Sequence, residues 1–244
     1  MNFPSETLPR KLHGRRGVAV TLLFALLAAV PSSAWSQDVL LRERQLMVEE
    51  QVRQRGIEQP ALLDAMVRVP RHLFVDERAR SEAYLDKPLP TESGETVSQP
   101  YLSARMIELL GLREGDRVLE IGTGSGYDAA LLAQIAGEVF TVEIDPAMAE
   151  AAEQRFAELG YDNVRVRAGD GFAGWPEQAP FDAILLTAAT PDIPEALLEQ
   201  LKVNGRMVVA VGAYFQDLTL ITKTASGEQV RSIMPVRLRP LRQE

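Results

Sequence analysis

A chain of 244 residues with 46% apolar and 25% charged side chains is long enough to bury a sizeable core in one domain. It has no cysteine and only two histidines, His13 and His72, which excludes disulfides, thiolate nucleophiles, cysteine-ligated zinc and multi-histidine metal sites, so no metal is expected. A formal net charge of −8 argues against nucleic acid as a partner.

The first 36 residues have a composition of their own. Arg10, Lys11, Arg15 and Arg16 precede an uncharged run, Gly17 to Val30, and then small residues suited to cleavage after Ala34 or Ser36. This is the layout of a secretory signal peptide. The apolar run is shorter than the ~20 residues of a comfortable membrane span, and its basic flank orients the downstream domain outward. The sequence therefore predicts a signal peptide over 1–36, export to the periplasm and no stable membrane association afterwards. Translation from Met47 is the alternative. Removing the segment takes four basic residues and one acidic residue from the totals of 26 and 34, leaving a net charge of −11.

Residues 37–244 read as one domain, with a helical part over 37–110 and an α/β part over 111–244. A helix is expected over 38–55, stopped by Gly56, and a second from Pro60, a favoured first position, to just before Pro70. Residues 71–89 are mixed. Pro88, Pro90, Gly94 and Pro100 bracket a loop over 89–100, and a helix follows over 101–110. From Arg117 the pattern alternates. Strands are predicted at 117–121, 138–143, 163–167, 181–187, 205–211, 217–223 and 230–237, and helices at 127–136, 146–159 and 194–202. Such alternation implies a mostly parallel seven-stranded sheet with helices on both faces. Ala225-Ser226-Gly227 replaces a helix between the last two strands and predicts an antiparallel hairpin at one edge.

The most informative stretch comes after the first of these strands. Glu120 precedes Gly122-Thr123-Gly124-Ser125-Gly126, a tight turn that leads into a helix near Tyr127. Glycines admit positive φ and close ligand approach, and the helix start offers unpaired N–H groups. The next strand delivers Glu143, a carboxylate able to accept both ribose hydroxyls. These features predict a nucleotide-like cofactor. The spacing is G-x-G-x-G rather than the dinucleotide G-x-G-x-x-G, and a carboxylate beside the turn would repel a pyrophosphate. S-adenosylmethionine, with its sulfonium, ammonium and ribose, fits better than NAD. The plain alternative is a turn that only joins strand to helix. Ligands of such sheets bind at the carboxyl ends of the strands, which adds Gly169-Asp170-Gly171 and Thr187 to Pro191. Asp170 can accept from an adenine amino group.

With these pieces in place, the chain resembles the protein-L-isoaspartate O-methyltransferases. The likeness runs through Met47 to Val52, Arg55-Gly56-Ile57, Val69-Pro70-Arg71-His72-Leu73-Phe74-Val75, Ala83-Tyr84-Leu85-Asp86, Pro180 to Ile184 with Thr187-Ala188-Ala189, and Gln200 to Arg206. Its most specific part is Gly94-Glu95-Thr96-Val97-Ser98-Gln99-Pro100. The resemblance implies a Rossmann-like methyltransferase fold and methyl transfer from S-adenosylmethionine to the carboxylate of L-isoaspartyl (and D-aspartyl) residues in aged proteins or peptides, with repair through a succinimide. It makes Ser98 an active-site residue and Thr96, Val97, Ser98, Gln99 and Pro100 the loop over cofactor and substrate. Glu143, Asp170 and Gly171 match cofactor-binding positions, beside Glu120, Gly122, Thr123, Gly124, Ser125 and Gly126 of the turn.

The chemistry agrees with the residues. An acceptor carboxylate of pKa ~4 is already ionised at neutral pH and needs no general base, so the shortage of histidine costs nothing. Alignment of nucleophile, methyl and sulfur, worth up to roughly 7–11 kcal/mol, carries the rate. Ser98 is expected to orient the carboxylate. Its alternative is an N-cap for the 101–110 helix. Three positions depart from relatives: Tyr101 where some have histidine, Arg242 where some have threonine, and the export signal in a family that is usually cytoplasmic. Two other functions compete, a small-molecule methyltransferase of the same fold and an exported binding protein for damaged chains without turnover; a dehydrogenase stands last. The protein is expected to be a monomer.

Overall fold

A computed structural model describes residues 32–243 apart from Glu92. The predicted signal segment lies outside the described residues up to Pro31. Its last five residues, Ser32–Ser36, open helix α1 (Ser32–Leu46). The helix continues without a break through a π-helical turn, Met47–Val52, and a 3-10 turn, Arg53–Arg55. It stops at Gly56, which takes the left-handed conformation with φ 90°. The predicted 38–55 helix is therefore present but longer. Helix α2 (Pro60–Arg68) has Pro60 in its first turn and ends two residues before Pro70. Residues 71–73 and 77–82 form 3-10 turns.

The expected loop over 89–100 is in part a hairpin. Strands β1 (Leu89–Pro90) and β2 (Thr96–Val97) pair antiparallel, with Leu89 opposite Val97. Pro90 sits on a two-residue edge strand where its missing N–H is tolerated, and its carbonyl accepts from the Asp76 N–H. Helix α3 (Pro100–Leu110) follows and ends at Gly111.

The main sheet contains β3 (Arg117–Ile121), β4 (Glu138–Glu143), β5 (Val164–Ala168), β6 (Phe181–Thr190), β7 (Leu201–Val211), β8 (Gln216–Thr224) and β9 (Gly227–Val236). Its order is β5-β4-β3-β6-β7-β8-β9. Strands β3 to β7 are parallel; β7–β8 and β8–β9 are antiparallel. The predicted edge hairpin is thus the outer part of a three-stranded meander. Helices α4 (Tyr127–Ala133), α5 (Pro146–Leu159) and α6 (Glu195–Gln200) connect the parallel strands. Asp145 caps α5 by accepting from the Ala147 and Met148 N–H groups.

Two apolar clusters lie on opposite sides of the sheet. Val118, Val139, Ala183 and Leu185 pack with the N-terminal helices, α3 and α4. Leu119, Ile121, Phe140, Val142, Ile184 and Leu186 pack with α6. Side chains alternate along a strand, so Glu120, Thr141, Glu143 and Thr187 fall on the α3/α4 side. That face turns from apolar to polar at the carboxyl ends of three neighbouring strands, which is where the site lies. Phe140 fills the other side, with its ring edge-on to Trp175 at 5.6 Å and beside Phe181 at 5.5 Å. Phe140→Ala is expected to cost about 3–5 kcal/mol through lost burial and cavity, read as a lowered urea midpoint at unchanged slope.

Candidate cofactor and acceptor site

β3 ends in the turn Gly122–Gly126. Its three glycines, with φ of 95°, 53° and 87°, are all in the left-handed region, but they do different work. A Cβ on Gly122 would sit 2.5 Å from Thr187 Oγ1, and one on Gly126 would sit 2.6 Å from the Phe156 ring. These two let the turn pack. A Cβ on Gly124 would meet nothing within 4 Å, so this is the glycine whose backbone stands open to a ligand. Thr187 Oγ1 donates towards the carbonyls of Ile121 and Gly122, at 3.1 and 2.7 Å. The Arg155 guanidinium donates to the Ser125 carbonyl at 2.9 Å.

Beneath the turn lies a polar chain. Thr141 Oγ1 donates to Glu120 Oε2 at 2.6 Å, and Thr123 Oγ1 is 2.6 Å from Thr141 Oγ1. With the Thr141 proton committed to Glu120, Thr123 donates to Thr141. Thr123 is therefore turned inward and holds the site through its hydroxyl rather than facing a ligand. Glu120 is 0% exposed, and its Oε1 has no hydrogen-bond partner among the described residues. Burial, reinforced by the neighbouring Asp128 carboxyl, pushes the Glu120 pKa well above its ordinary 4.5. In sequence Glu120 stands beside the turn; the structure places it underneath, because its strand position faces α4. Glu143 Oε2 accepts from the Gly124 N–H at 2.9 Å, and Oε1 accepts from the Asp145 N–H at 3.2 Å. Asp170 Oδ1 accepts from the Phe172 N–H. Gly171 packs on Ile121 and Leu241 so closely that a Cβ would sit 2.5 Å from Ile121 Cγ2.

The β1–β2 hairpin lies over this turn. Thr91 and Ser93 line one cleft together with Gly124, Ser125, Phe74, Val75 and Met148. Val97 is buried, Thr96 exposed, and Ser98 and Gln99 half-buried. Pro100 is buried in the first turn of α3. The cap position of α3 is Gln99, without a side-chain cap bond, so Ser98 is not the N-cap of this helix. Its carbonyl accepts from Arg71 Nη2 at 2.7 Å, while its hydroxyl takes part in no hydrogen bond found among the described residues. The C-terminal tail supports the same hairpin. Arg239 Nη1 and Arg242 Nη2 reach the two oxygens of Glu95 at 2.9 and 3.4 Å, and Arg239 Nη2 reaches the Gly94 carbonyl at 3.2 Å. Arg242, the departure noted in the sequence, thus does contribute a contact. Backbone bonds between Ala189 and residues 239 and 241 fasten the tail to the end of β6. Tyr101 lies under the Arg55 guanidinium at 3.5 Å. His72 Nδ1 is 2.6 Å from the Tyr84 hydroxyl, in the scaffold behind the hairpin.

The residues present suit a cofactor of mixed charge. A cationic group would answer the buried, half-satisfied Glu120 carboxyl, the open Gly124 backbone admits close approach, and Glu143 and Asp170 retain acceptor capacity for hydroxyl and amino groups. Arg71, Thr141, Thr187, Arg155 and Arg239 were not identified from sequence as site residues. Each acts through a partner at least 21 residues away; Thr187 was marked by its place at a strand end, and Arg71 only as part of the Val69–Val75 likeness.

Fold and site together define a Rossmann-like methyltransferase. A model of the family described as protein-L-isoaspartate(D-aspartate) O-methyltransferase matches residues 42–244. The protein-L-isoaspartate O-methyltransferase of Gloeobacter violaceus is 51% identical over 200 residues, covering 81% of this chain and 98% of that one. A solved protein-L-isoaspartate O-methyltransferase superposes with a TM-score of 0.75 at 29% identity, covering 82% of this chain and 65% of that one. A Plasmodium falciparum chain described as a putative protein-L-isoaspartate O-methyltransferase, solved in complex with S-adenosyl-L-homocysteine, shares the fold with a TM-score of 0.70 at 23% identity, covering 82% and 99%. The chain belongs to the protein-L-isoaspartate(D-aspartate) O-methyltransferase family.

This geometry predicts two outcomes. Gly126→Ala, strained in φ and driven into Phe156, is expected to lower the melting temperature more than Gly124→Ala, whereas Gly124→Ala is expected to weaken S-adenosylmethionine binding with most of the fold intact; melting curves and calorimetry separate the two. For Glu120, a folded-state pKa raised above the unfolded value makes its contribution complete below pH 4.5 and lost as pH rises through the folded value. The ligand-free protein should thus lose stability over that interval, Glu120→Gln should flatten the loss, and the same variant should bind the cofactor at least about tenfold more weakly. Urea titrations at stepped pH and calorimetry provide the readouts.

Proposed function

We propose that this protein uses S-adenosylmethionine to methylate the α-carboxylate of L-isoaspartyl, and D-aspartyl, residues in aged proteins or peptides, initiating their return to aspartate through a succinimide. The observation that carries the reading is the cleft between the β1–β2 hairpin and the glycine turn, lined by Thr91, Ser93, Gly124 and Ser125, in a chain of this family.

When bound, the cofactor supplies a methyl group activated on a sulfonium. Gly122 to Gly126 would hold its amino-acid portion against the turn, with Glu120 answering positive charge there. Glu143 would accept from the ribose and Asp170 from the adenine amino group. Ser98 donates its free hydroxyl to the acceptor carboxylate and fixes the direction from which that oxygen approaches. No residue has to remove a proton, because the carboxylate is ionised at neutral pH. Thr96 and Val97 form the strand that carries Ser98, and Gln99 and Pro100 join it to α3. Catalysis in this arrangement is orientation and exclusion of water.

The reading includes export. Supporting it are the basic, apolar and small-residue regions of 1–36; the function would then be repair of envelope proteins. The acidic character of the chain supports the absence of a nucleic-acid partner, and the protein is read as a monomer.

Labelled methyl should appear on an isoaspartyl peptide and not on its aspartyl twin; equal labelling of both, or none on either with cofactor bound, overturns the assignment. Ser98→Ala should lower kcat by about tenfold or more while leaving cofactor affinity within about twofold. Residues 1–40 fused to a reporter active only outside the cytoplasm should give signal, and silence would return the protein to the cytoplasm.

A further inference from the structure

We infer that Arg71 is a positioning residue for methyl transfer, holding Ser98 in register with the cofactor turn. This rests on the reading of Ser98 as the group that meets the acceptor carboxylate.

Arg71 is 0% exposed and is the largest fully buried side chain among the described residues. Its planar head makes three contacts. Nε donates to the Ala83 carbonyl at 2.9 Å, and Nη2 donates to the Ser98 carbonyl at 2.7 Å. The guanidinium carbon lies 4.8 Å from the centre of the Tyr127 ring. Tyr127 is the first residue of α4, directly after Gly126. One rigid group therefore touches the residue that carries the acceptor-side hydroxyl and the residue that begins the cofactor-side helix.

The choice of arginine is informative. Burying a cation costs several kcal/mol before compensation, and two carbonyls could be satisfied by neutral donors. A flat fork does what those cannot, since it fixes two acceptors and a ring face in one geometry. Burial pulls the Arg71 pKa below the usual arginine value, opposed by Tyr127 and Asp128, and arginine still remains a cation at neutral pH. The surrounding polar groups are incompletely paired. Arg71 Nη1, the Tyr127 hydroxyl, Asp128 Oδ1 and Ser103 Oγ are buried, and none meets a partner in full hydrogen-bond geometry among the described residues; Arg71 and Tyr127, and Asp128 and Ser103, stand close enough to pair with each other. Arg71 touches neither substrate nor cofactor; its influence passes through Ser98 and Tyr127.

Arg71→Lys in the full chain tests this, since it keeps a cation but loses the fork. With wild-type activity on the isoaspartyl peptide established, the variant should lose about tenfold to a hundredfold in kcat, the scale of a small misplacement of a reacting group, with KM for the peptide and calorimetric affinity for S-adenosylmethionine within about twofold. Arg71→Lys/Ser98→Ala should be no slower than Ser98→Ala alone, because both changes remove the same alignment; a merely structural role would multiply the two losses. A wild-type kcat in Arg71→Lys, or multiplied losses in the double variant, overturns the inference and leaves the isoaspartyl reading standing. A wild-type protein inactive on the peptide removes that reading, and the inference with it. If Arg71→Lys does not fold, guanidinium NMR of the wild-type protein decides. The Arg71 Nη signals should move when the isoaspartyl peptide binds to the S-adenosylhomocysteine-loaded protein, and unmoved signals overturn the proposal.

Discussion

The parallel register of β3 with β4 and β6 is the constraint on which the rest of the structure depends. Glu120 stands opposite Thr141 on one side and Leu185 on the other, and Ile121 stands opposite Val142 and Leu186. A slip of one residue would exchange the two faces of a strand. It would send Glu120 into the apolar side occupied by Phe140 and Phe181, and would lose the hydroxyl that now bonds its buried carboxyl. Because the register is held by apolar contacts on both faces, polar groups can be concentrated at the carboxyl ends without loosening the sheet. The site thus occupies the last two or three positions of strands whose earlier residues are core.

Above that edge the structure is made of short pieces that could not hold a shape alone. A hairpin with two residues per strand has little stability of its own. It is held from behind by Arg71 and from the side by Arg239 and Arg242. The latter pairs are exposed, and single surface ion pairs contribute only about 0–1 kcal/mol. Here the two arginines share one carboxylate, and backbone bonds of Arg239 and Leu241 to Ala189 fasten the tail that carries them to β6. The rim accordingly has one buried attachment, through Arg71, and one exposed one, through Arg239 and Arg242.

Much of the framework was legible in the sequence. Gly56 ends the first helix and Pro60 begins the second, and the apolar runs from Arg117 onward mark all seven strands of the sheet. The glycine turn with Glu120 and Glu143 was legible as well. Local pattern missed features created by distant contacts. β6 was expected to end at 187 but runs to Thr190, because the end of β7 and the returning C-terminal tail pair with its last residues. β7 begins at Leu201 rather than 205, through a bulged pairing with Phe181. Arg71 stands in a stretch that carries the family likeness, but nothing local marks it as buried; its burial is decided by Ala83, Ser98 and Tyr127. The inward turn of Thr123 and the depth of Glu120 likewise depend on Thr141 in the neighbouring strand.

The attachment of the tail also sets an order of events during synthesis. Glu95 leaves the ribosome long before Arg239 and Arg242, with the entire sheet translated in between. A nascent chain can assemble β3, β4 and the glycine turn while its hairpin still has no lateral anchor. Completion of the rim therefore waits for Arg239 and Arg242, so the hairpin gains its lateral contacts only after every strand of the sheet has been made.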